Sequence, residues 1–273
     1  MNKELEKVII EGYSHSVRRE WNRLLKNESI SEYITTIRYL EKYLPKKGLV
    51  ADIGSGPGRY ALWLAEQGYD VVAVDPVPKF VDFLKAKFRA RKLGKRLKGV
   101  YVAYAQDLSM FKDNTFDAVI CLGDPLSHIM SKTERQKAAN ELLRIAKPKA
   151  KIFVSVMGRL QLYAGVIKLA QSDLEADYIE DWAKTGNYYG GYGFLPFHGF
   201  RPNELGKLFP SSSSRIVAKV GLEGFASHAR KEINKLRRNK KRLEKWFKIH
   251  FSICEEPETI GASEHYMLIL EKK

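Results

Sequence analysis

"VADIGSGPGRY", residues 50–60, packs three glycines and a proline directly behind a short apolar run. A β-branched run that stops at a glycine turn and passes into a helical stretch is how a strand hands over to a helix in a parallel α/β sheet. At that handover the first N–H groups of the helix are free to meet a ligand. The spacing is Gly-x-Gly-x-Gly. Gly54 permits a backbone conformation that a Cβ disfavours, Gly56 lets a ligand approach the backbone, and Gly58 lets the helix pack close. A dinucleotide fingerprint needs its third glycine at 59, where this chain has Arg59, and a phosphate loop needs a Gly-Lys-Ser/Thr ending that is absent. Asp52 would be desolvated beside a pyrophosphate of like charge. It better suits a ligand carrying an ammonium or a sulfonium.

Outward from this turn, short strand-like runs alternate with helical stretches. "LVADI" is followed by a helical segment at 59–67, "DVVAV" by one at 77–93, then come "VYVAYA", "FDAVICL", a helical segment at 132–147 and "AKIFVSV". This order predicts an α/β fold, a Rossmann-like and mainly parallel sheet with helices on both faces, in a single domain over 1–273. The first forty-odd residues read as helical, with an apolar stripe at Ile30, Ile34, Ile37, Leu40 and Leu44 that ends at Pro45 and Gly48. After 157 the alternation stops. A segment up to Phe200 is rich in aromatics (Tyr163, Tyr178, Trp182, Tyr188, Tyr189, Tyr192, Phe194, Phe197) and in glycines, and reads as an inserted cap over 158–200. "RPNELGKLF" predicts a helix with Pro202 near its start, "RIVAKVGL" a strand, 230–248 a long basic helix and "HYMLILEK" a last strand.

The strand tips carry polar groups in order. Asp75, at the end of "DVVAVDP", is an acidic side chain that can accept both hydroxyls of a ribose. Asp107, in "AYAQDLSMF", is placed to accept from an adenine amino group. The fourth run continues into "FDAVICLGDPLSHI".

Taken together, "VADIGSGPGRY", "VDP", "AQDL" and "FDAVICLG", at these separations, resemble the first four motifs of the class I S-adenosylmethionine-dependent methyltransferases. The match is good over about residues 35–157 and holds by pattern for the last two strands. "ICLGDPLSHI" further resembles the corresponding stretch of glycine N-methyltransferase-like small-molecule enzymes, which often have Leu-Gly-Asn-Ser there. The resemblance implies a seven-stranded sheet whose last strand is antiparallel and inserted beside the sixth. It implies S-adenosylmethionine as methyl donor and S-adenosylhomocysteine as product. Asp52 and Gly54, Ser55, Gly56 and Gly58 would hold the methionine part; Asp75, with Pro76 beside it, the ribose; Gln106, Asp107 and Leu108 the adenine; Leu122 and Gly123 the region of the sulfonium. N-terminal helices, over 1–44, would close as a lid, with Tyr13 and Trp21 as lid residues, although core packing suits Trp21 equally.

Methyl transfer from a sulfonium depends on alignment and exclusion of water, and needs a base only if the acceptor arrives protonated. No nucleophile and no metal is therefore expected. Asp124 and His128, just after the fourth strand, are candidates for positioning an acceptor, as is His198 at the end of the aromatic segment. Each also has an ordinary structural explanation: a turn residue before Pro125, a helix start, a packed interface. Tyr188, Tyr189 and Tyr192 read as a flexible wall over the pocket rather than as core, able to stack on a planar acceptor or surround an ammonium. His15, His228, His250 and His265 form no arrangement legible as a site.

Composition narrows the partners. The chain has 273 residues, two cysteines without metal-ligand or disulfide spacing, and a net charge of +15. No apolar run is long enough for a membrane span, and "MNKELEKVIIEGY" lacks a signal-peptide core, so a cytoplasmic enzyme is expected. Abundant Lys and Glu with few Gln and Cys fit a heat-adapted composition. The positive charge concentrates at 85–98 and 230–248. Two readings stand: a small-molecule N- or O-methyltransferase in which those segments are solvated helix faces, or an RNA methyltransferase or nucleic-acid-binding protein that uses them. Against the second, the fourth strand is followed by Asp124-Pro125-Leu126-Ser127 and not by an intact Asn/Asp-Pro-Pro-Tyr/Phe motif.

Overall fold

The computed structural model describes residues 3–24, 30–190 and 194–273, apart from the side chains of Lys3 and Leu169. Tyr192, Gly191 and Gly193 of the predicted cap lie outside the described residues. The elements in chain order are α1 (Lys3–His15), α2 (Val17–Asn22), α3 (Ile30–Tyr43), β1 (Leu49–Ile53), α4 (Arg59–Glu66), β2 (Asp70–Val74), α5 (Pro78–Ala90), β3 (Leu97–Tyr101), β4 (Phe116–Cys121), α6 (Lys132–Ile145) and β5 (Ala146–Met157). They continue with α7 (Arg159–Leu169), α8 (Tyr178–Thr185), β6 (Asn187–Tyr188), β7 (Phe197–His198), β8 (Ser214–Gly221), α9 (Arg230–Leu236), α10 (Lys240–Ile253), α11 (Pro257–Gly261) and β9 (His265–Lys272).

Seven strands form one sheet in the order β3-β2-β1-β4-β5-β9-β8. β1 pairs in parallel with β2 on one side and with β4 on the other, so the chain reverses its direction of travel across the sheet between these two neighbours. Ligands of open α/β sheets bind in the crevice above such a switch point. The last strand, β9, runs antiparallel between β5 and β8, the expected arrangement. Two apolar layers cover the sheet. Ala51 and Ile53 of β1 face the layer containing Leu142 of α6, while Val50 faces that containing Leu62 of α4 and Leu84 of α5. By strand alternation Asp52 shares the face of Val50.

The glycine turn follows from backbone stereochemistry. Gly54, Gly56 and Gly58 all have positive φ (73°, 54° and 87°), where a side chain is disfavoured. Gly54 and Ser55 donate to the carbonyl of Val74 at 2.7 and 3.0 Å, tying the turn to the end of β2. A Cβ on Gly58 would lie 2.5 Å from Cγ of Leu84, so here the missing side chain is what lets α4 and α5 pack together. Gly58→Ala is expected to destabilise the protein by about 2–4 kcal/mol, from unfavourable φ plus overpacking. Chemical denaturation measures this directly; a loss below about 0.5 kcal/mol, the range of a neutral surface change, would contradict the packing argument.

Four sequence expectations change. The third strand ends at Tyr101, and Val102–Ala105 leave the sheet, because the chain turns there to bring Tyr104 and Ala105 to the cavity described below. The segment 201–209 forms only a 3₁₀ turn, Leu205–Leu208, interrupted by Gly206 and stopped by Pro210. The basic helix is two helices; Asn239 breaks it and caps α10 by accepting from the N–H of Arg242 at 3.0 Å. Finally, α3 buries a largely polar face, Ser31, Glu32, Thr35, Thr36 and Tyr39 with Leu40, while Ile30, Ile34 and Ile37 are only half-buried. The partners are polar too: Thr35 Oγ1 lies 3.0 Å from His250 Nε2, and Tyr39 donates to Glu255 at 2.6 Å.

The insert after β5 has a small core of its own. Trp182, Tyr188 and Phe197 are buried together and ringed by Tyr163 and Tyr178. Its aromatics are thus mostly internal packing, which corrects the reading of Tyr188 as a mobile wall; Tyr189 is exposed and lines neither cavity described below.

Candidate active site

Above the switch point lies a cavity of about 1310 Å³, its open mouth included. Its floor is the glycine turn, Gly54 to Pro57. One wall holds Asp75 and Pro76, another Leu122, Gly123 and Pro125, and α1 and α2 roof it with Ile9, Tyr13 and Glu20. α2 is held in place through Trp21, whose ring stacks under the guanidinium of Arg59, 3.6 Å from its centroid, and beside the Lys87 ammonium at 4.8 Å. Arg59, the residue that interrupts a dinucleotide fingerprint, thereby anchors the roof and also donates to the Trp21 carbonyl.

Asp75 sits on the cavity wall with both carboxylate oxygens engaged by backbone donors: Oδ2 accepts from Gly56 N–H at 2.7 Å and Oδ1 from Val77 N–H at 2.9 Å. Each oxygen keeps lone-pair capacity for a further donor from a ligand. Burial pushes its carboxyl up to about 7, against the pull of those two N–H groups. Asp52 is placed differently. It is buried and is not among the residues that line the cavity, and the Ala61 N–H is its one polar neighbour in the backbone, too long or bent to count as a full hydrogen bond. Burial, reinforced by the charge of Asp75, pushes it up to about 8.

The adenine expectation is redistributed. Gln106 lines the cavity together with Tyr104 and Ala105. Asp107 instead is exposed and turned back onto Ser109, accepting from its hydroxyl at 2.8 Å, and Leu108 is buried in the core; neither lines the cavity. Gly58 is likewise absent from the lining, in keeping with its packing role.

A second chamber of about 1060 Å³, its opening included, adjoins the first and shares Tyr13, Glu20 and His128 with it. The rest of its wall comes from the N-terminal helices (Gly12, Ser16, Arg19), from β5 and the insert (Met157, Leu162, Phe194, Leu195, Phe197) and from Glu264 and His265 at the start of β9. At the boundary the Tyr13 hydroxyl lies 2.6 Å from His128 Nε2, and His128 Nδ1 lies 2.9 Å from the Pro196 carbonyl. A carbonyl can only accept, so Nδ1 carries the hydrogen and Nε2 of the neutral ring accepts from Tyr13. Burial lowers the His128 pKa, which keeps it neutral, and burial raises that of Tyr13, which keeps it protonated. One short chain of hydrogen bonds therefore joins α1, the loop after β4 and the insert.

Behind this boundary is a buried charge network that no motif announces. His265 Nδ1 lies 2.6 Å from Glu223 and 3.8 Å from Glu32, and its Nε2 lies 3.3 Å from Asp124. Arg23 pairs with Glu32 through two hydrogen bonds, at 2.8 and 3.1 Å. Burial alone would lower the His265 pKa, but the three carboxylates hold it well above the ordinary histidine range, so it is an imidazolium. Asp124 is pushed up to about 6 by burial despite that neighbour. Asp124 thus stands behind the cavity wall formed by its neighbours Gly123 and Pro125. Among the described residues Glu32, Glu223 and His265 form one group with metal-ligand proximity, but its atoms already bond to Arg23 and to one another.

His198, the third catalytic candidate, is held between Asn187 at 2.7 Å and Glu204 at 2.8 Å and lines neither chamber. Its partners make it part of the joint between the insert and the segment that follows.

Comparison with known proteins agrees with this architecture. Residues 50–149 match a methyltransferase domain family. The chain is similar to a glycine/sarcosine N-methyltransferase of Parasynechococcus marenigrum, 29% identical over 139 residues covering 50% of this chain and 47% of that protein. It is similar also to one of Aphanothece halophytica, 30% identical over 140 residues covering 50% and 49%. The chain thus spans about half the length of these curated relatives. Among solved structures, a S-adenosylmethionine-dependent methyltransferase from Methanosarcina mazei superposes with a TM-score of 0.59 over 86% of this chain and 96% of that one, at 20% identity, a likeness of fold.

Proposed function

We propose that the chain, whose residues 50–149 match a methyltransferase domain family, is a class I S-adenosylmethionine-dependent methyltransferase that methylates N or O of a small-molecule acceptor taken into the second chamber. The observation that carries this reading is the pair of adjoining chambers, one floored by the glycine turn and the other walled by the insert, meeting at Tyr13 and His128. The first chamber fits the donor: it has a glycine cradle where a Cβ on Gly56 would enter open space, and a wall carboxylate, Asp75, with acceptor capacity left for a ribose diol. When bound, S-adenosylmethionine supplies an activated methyl group. The chain's residues do the rest: Asp75 and the turn bind, α1 and α2 exclude water, and the Tyr13–His128 pair offers a route for a proton released by the acceptor.

The two basic segments, 85–98 and 230–248, contribute no residue to either chamber. Part of their charge is used locally, as in Arg91 with Glu66 and Arg96 and Lys98 with Asp70. This favours a small acceptor over RNA. No helix among the described residues is long and apolar enough to cross a membrane, and the proposal places the reaction in the cytoplasm. Incubation of cell extract with the enzyme and methyl-labelled S-adenosylmethionine is expected to label a product that is small and resists protease and nuclease. Label confined to a nuclease-sensitive fraction would reverse the preference.

A further inference from the structure

We infer that the face built by α9, α10 and the outer side of α3 docks on the phosphate backbone of a nucleic-acid double helix, which the protein holds but does not methylate. This holds whatever the acceptor of the proposed reaction is. The net charge of +15 is not spread evenly over the fold. Segment 85–98 meets carboxylates from its neighbours, Arg91 with Glu66 and Arg96 and Lys98 with Asp70. Segment 230–248 has only the acids Glu232 and Glu244 of its own, and Glu244 lies 3.7 Å from Lys240. Lys241, Lys245 and Lys248 form no ion pair among the described residues.

Packing decides which way these charges point. Phe247 and His250 are buried, and His250 Nε2 lies 3.0 Å from Thr35 Oγ1, so the inner side of α10 is committed to α3. Lys241, Lys245 and Lys248, at i, i+4 and i+7, are exposed on the side turned away. On α9 the buried residue is Ile233, while Lys231 and Lys235, at i and i+4, are exposed. α9 packs against both α10 and α3. α3 extends the surface with Arg38, which is exposed and lies over the Phe251 ring of α10 at 4.4 Å. With 14 residues α10 is about 21 Å long, the reach of about six phosphates along one strand of a duplex.

The composition of the face selects the partner. Exposed cations gain affinity from a polyanion by releasing its condensed counterions, and a duplex carries about one charge per 1.7 Å of its axis. An extended acidic peptide offers at most one per ~3.3 Å. Single strands are held by stacking on aromatic side chains, and bilayers by apolar side chains that insert. On these three helices no aromatic side chain is exposed, and Ile249 is the one large apolar side chain that is. None of their residues lines either chamber, so the duplex is bound away from the transferred methyl group.

Fluorescence anisotropy with the full chain and a labelled RNA duplex of about 20 base pairs tests this, and the affinity is expected to fall about twentyfold or more between about 50 and about 200 mM salt, the dependence of three or more neutralised phosphates. A DNA duplex is expected to bind within about threefold of the RNA, since phosphate contacts carry no sequence information. Lys241→Glu, Lys245→Glu and Lys248→Glu together are expected to weaken binding about tenfold or more at an unchanged denaturation midpoint, and Gln at the same three positions about threefold or more. Lys85→Glu with Arg89→Glu, which belong to α5 and not to this face, should change it less than about threefold. Failure of the duplex to bind, salt-independent binding, or a loss at Lys85 and Arg89 as large as that at α10 overturns the proposal. So does binding of polyglutamate or of phosphatidylglycerol vesicles as tight as that of the duplex at matched charge, or transfer of label from methyl-labelled S-adenosylmethionine to the duplex.

Discussion

An Asp75→Ala variant binds S-adenosylhomocysteine about a hundredfold or more weakly than the native chain, while Asp107→Ala changes the affinity by less than about threefold. The asymmetry follows from placement. Asp75 lies on the wall of the first chamber, its two oxygens already oriented by the N–H groups of Gly56 and Val77. Hydrogen bonds to a charged acceptor contribute roughly 1.5–3 kcal/mol each, so losing two of them accounts for a loss of that size. Asp107, at the end of the next motif, is exposed and occupied by Ser109. Calorimetric titration of the two variants decides the matter. Equal losses would mean that Asp107 swings into the chamber when the ligand binds, and no loss at Asp75 would remove the donor assignment.

The second large effect is on stability. Asp52→Asn leaves the protein more stable than the native chain by about 1–2 kcal/mol at pH 5 and by on the order of 5 kcal/mol at pH 8.5. In the unfolded chain an aspartate loses its proton near pH 4. In the fold, burial and the charge of Asp75 hold the Asp52 proton to about 8, against the pull of the Ala61 N–H. Between those values the unfolded state releases a proton that the native state keeps, so native stability falls as pH rises. Asn removes that dependence. Asp75 and Asp124, raised to about 7 and about 6, act with the same sign. His265 does too, because its stabilisation is full below the unfolded histidine value and is lost as pH climbs toward the raised native one. At the acid end Glu204, held down to about 2 with His198 and Arg159 beside it, contributes stability that fades as pH falls below the ordinary carboxylate range. The ligand-free protein should therefore be most stable near pH 4. Denaturation curves at pH 5, 7 and 8.5 test this; an Asp52→Asn variant that gains nothing at pH 8.5 would show that the native carboxylate finds a partner after all.

How far each residue could be read in advance depends on how local its constraint is. The glycine turn, the strand tips and the order of strands and helices were legible, since dihedral demands and side-chain periodicity are written within a few consecutive residues. The same held for Asp75, Gln106, Leu122 and Gly123, which stand on the chamber wall where strand ends are expected to point. Asp107 and Leu108 misled because the motif locates a loop, not the direction in which each side chain of that loop leaves it. Val102–Ala105 looked like strand because they are apolar and β-branched in part, but their position past the end of a sheet edge takes them to the chamber instead.

The cap and the charge network show the opposite limit. Tyr188 read as a wall because glycines surround it, and only packing against Trp182 and Phe197 makes it core. Arg23, Glu32, Glu223 and His265 come from four segments up to 242 positions apart, each unremarkable in its own surroundings. By itself the sequence determined the sheet and the glycine turn after its first strand, because those rest on backbone geometry repeated along the chain. Tertiary structure alone decided the second chamber and the buried charge network beside it, because an electrostatic environment is a sum over distances in space, and distance along the chain does not enter it.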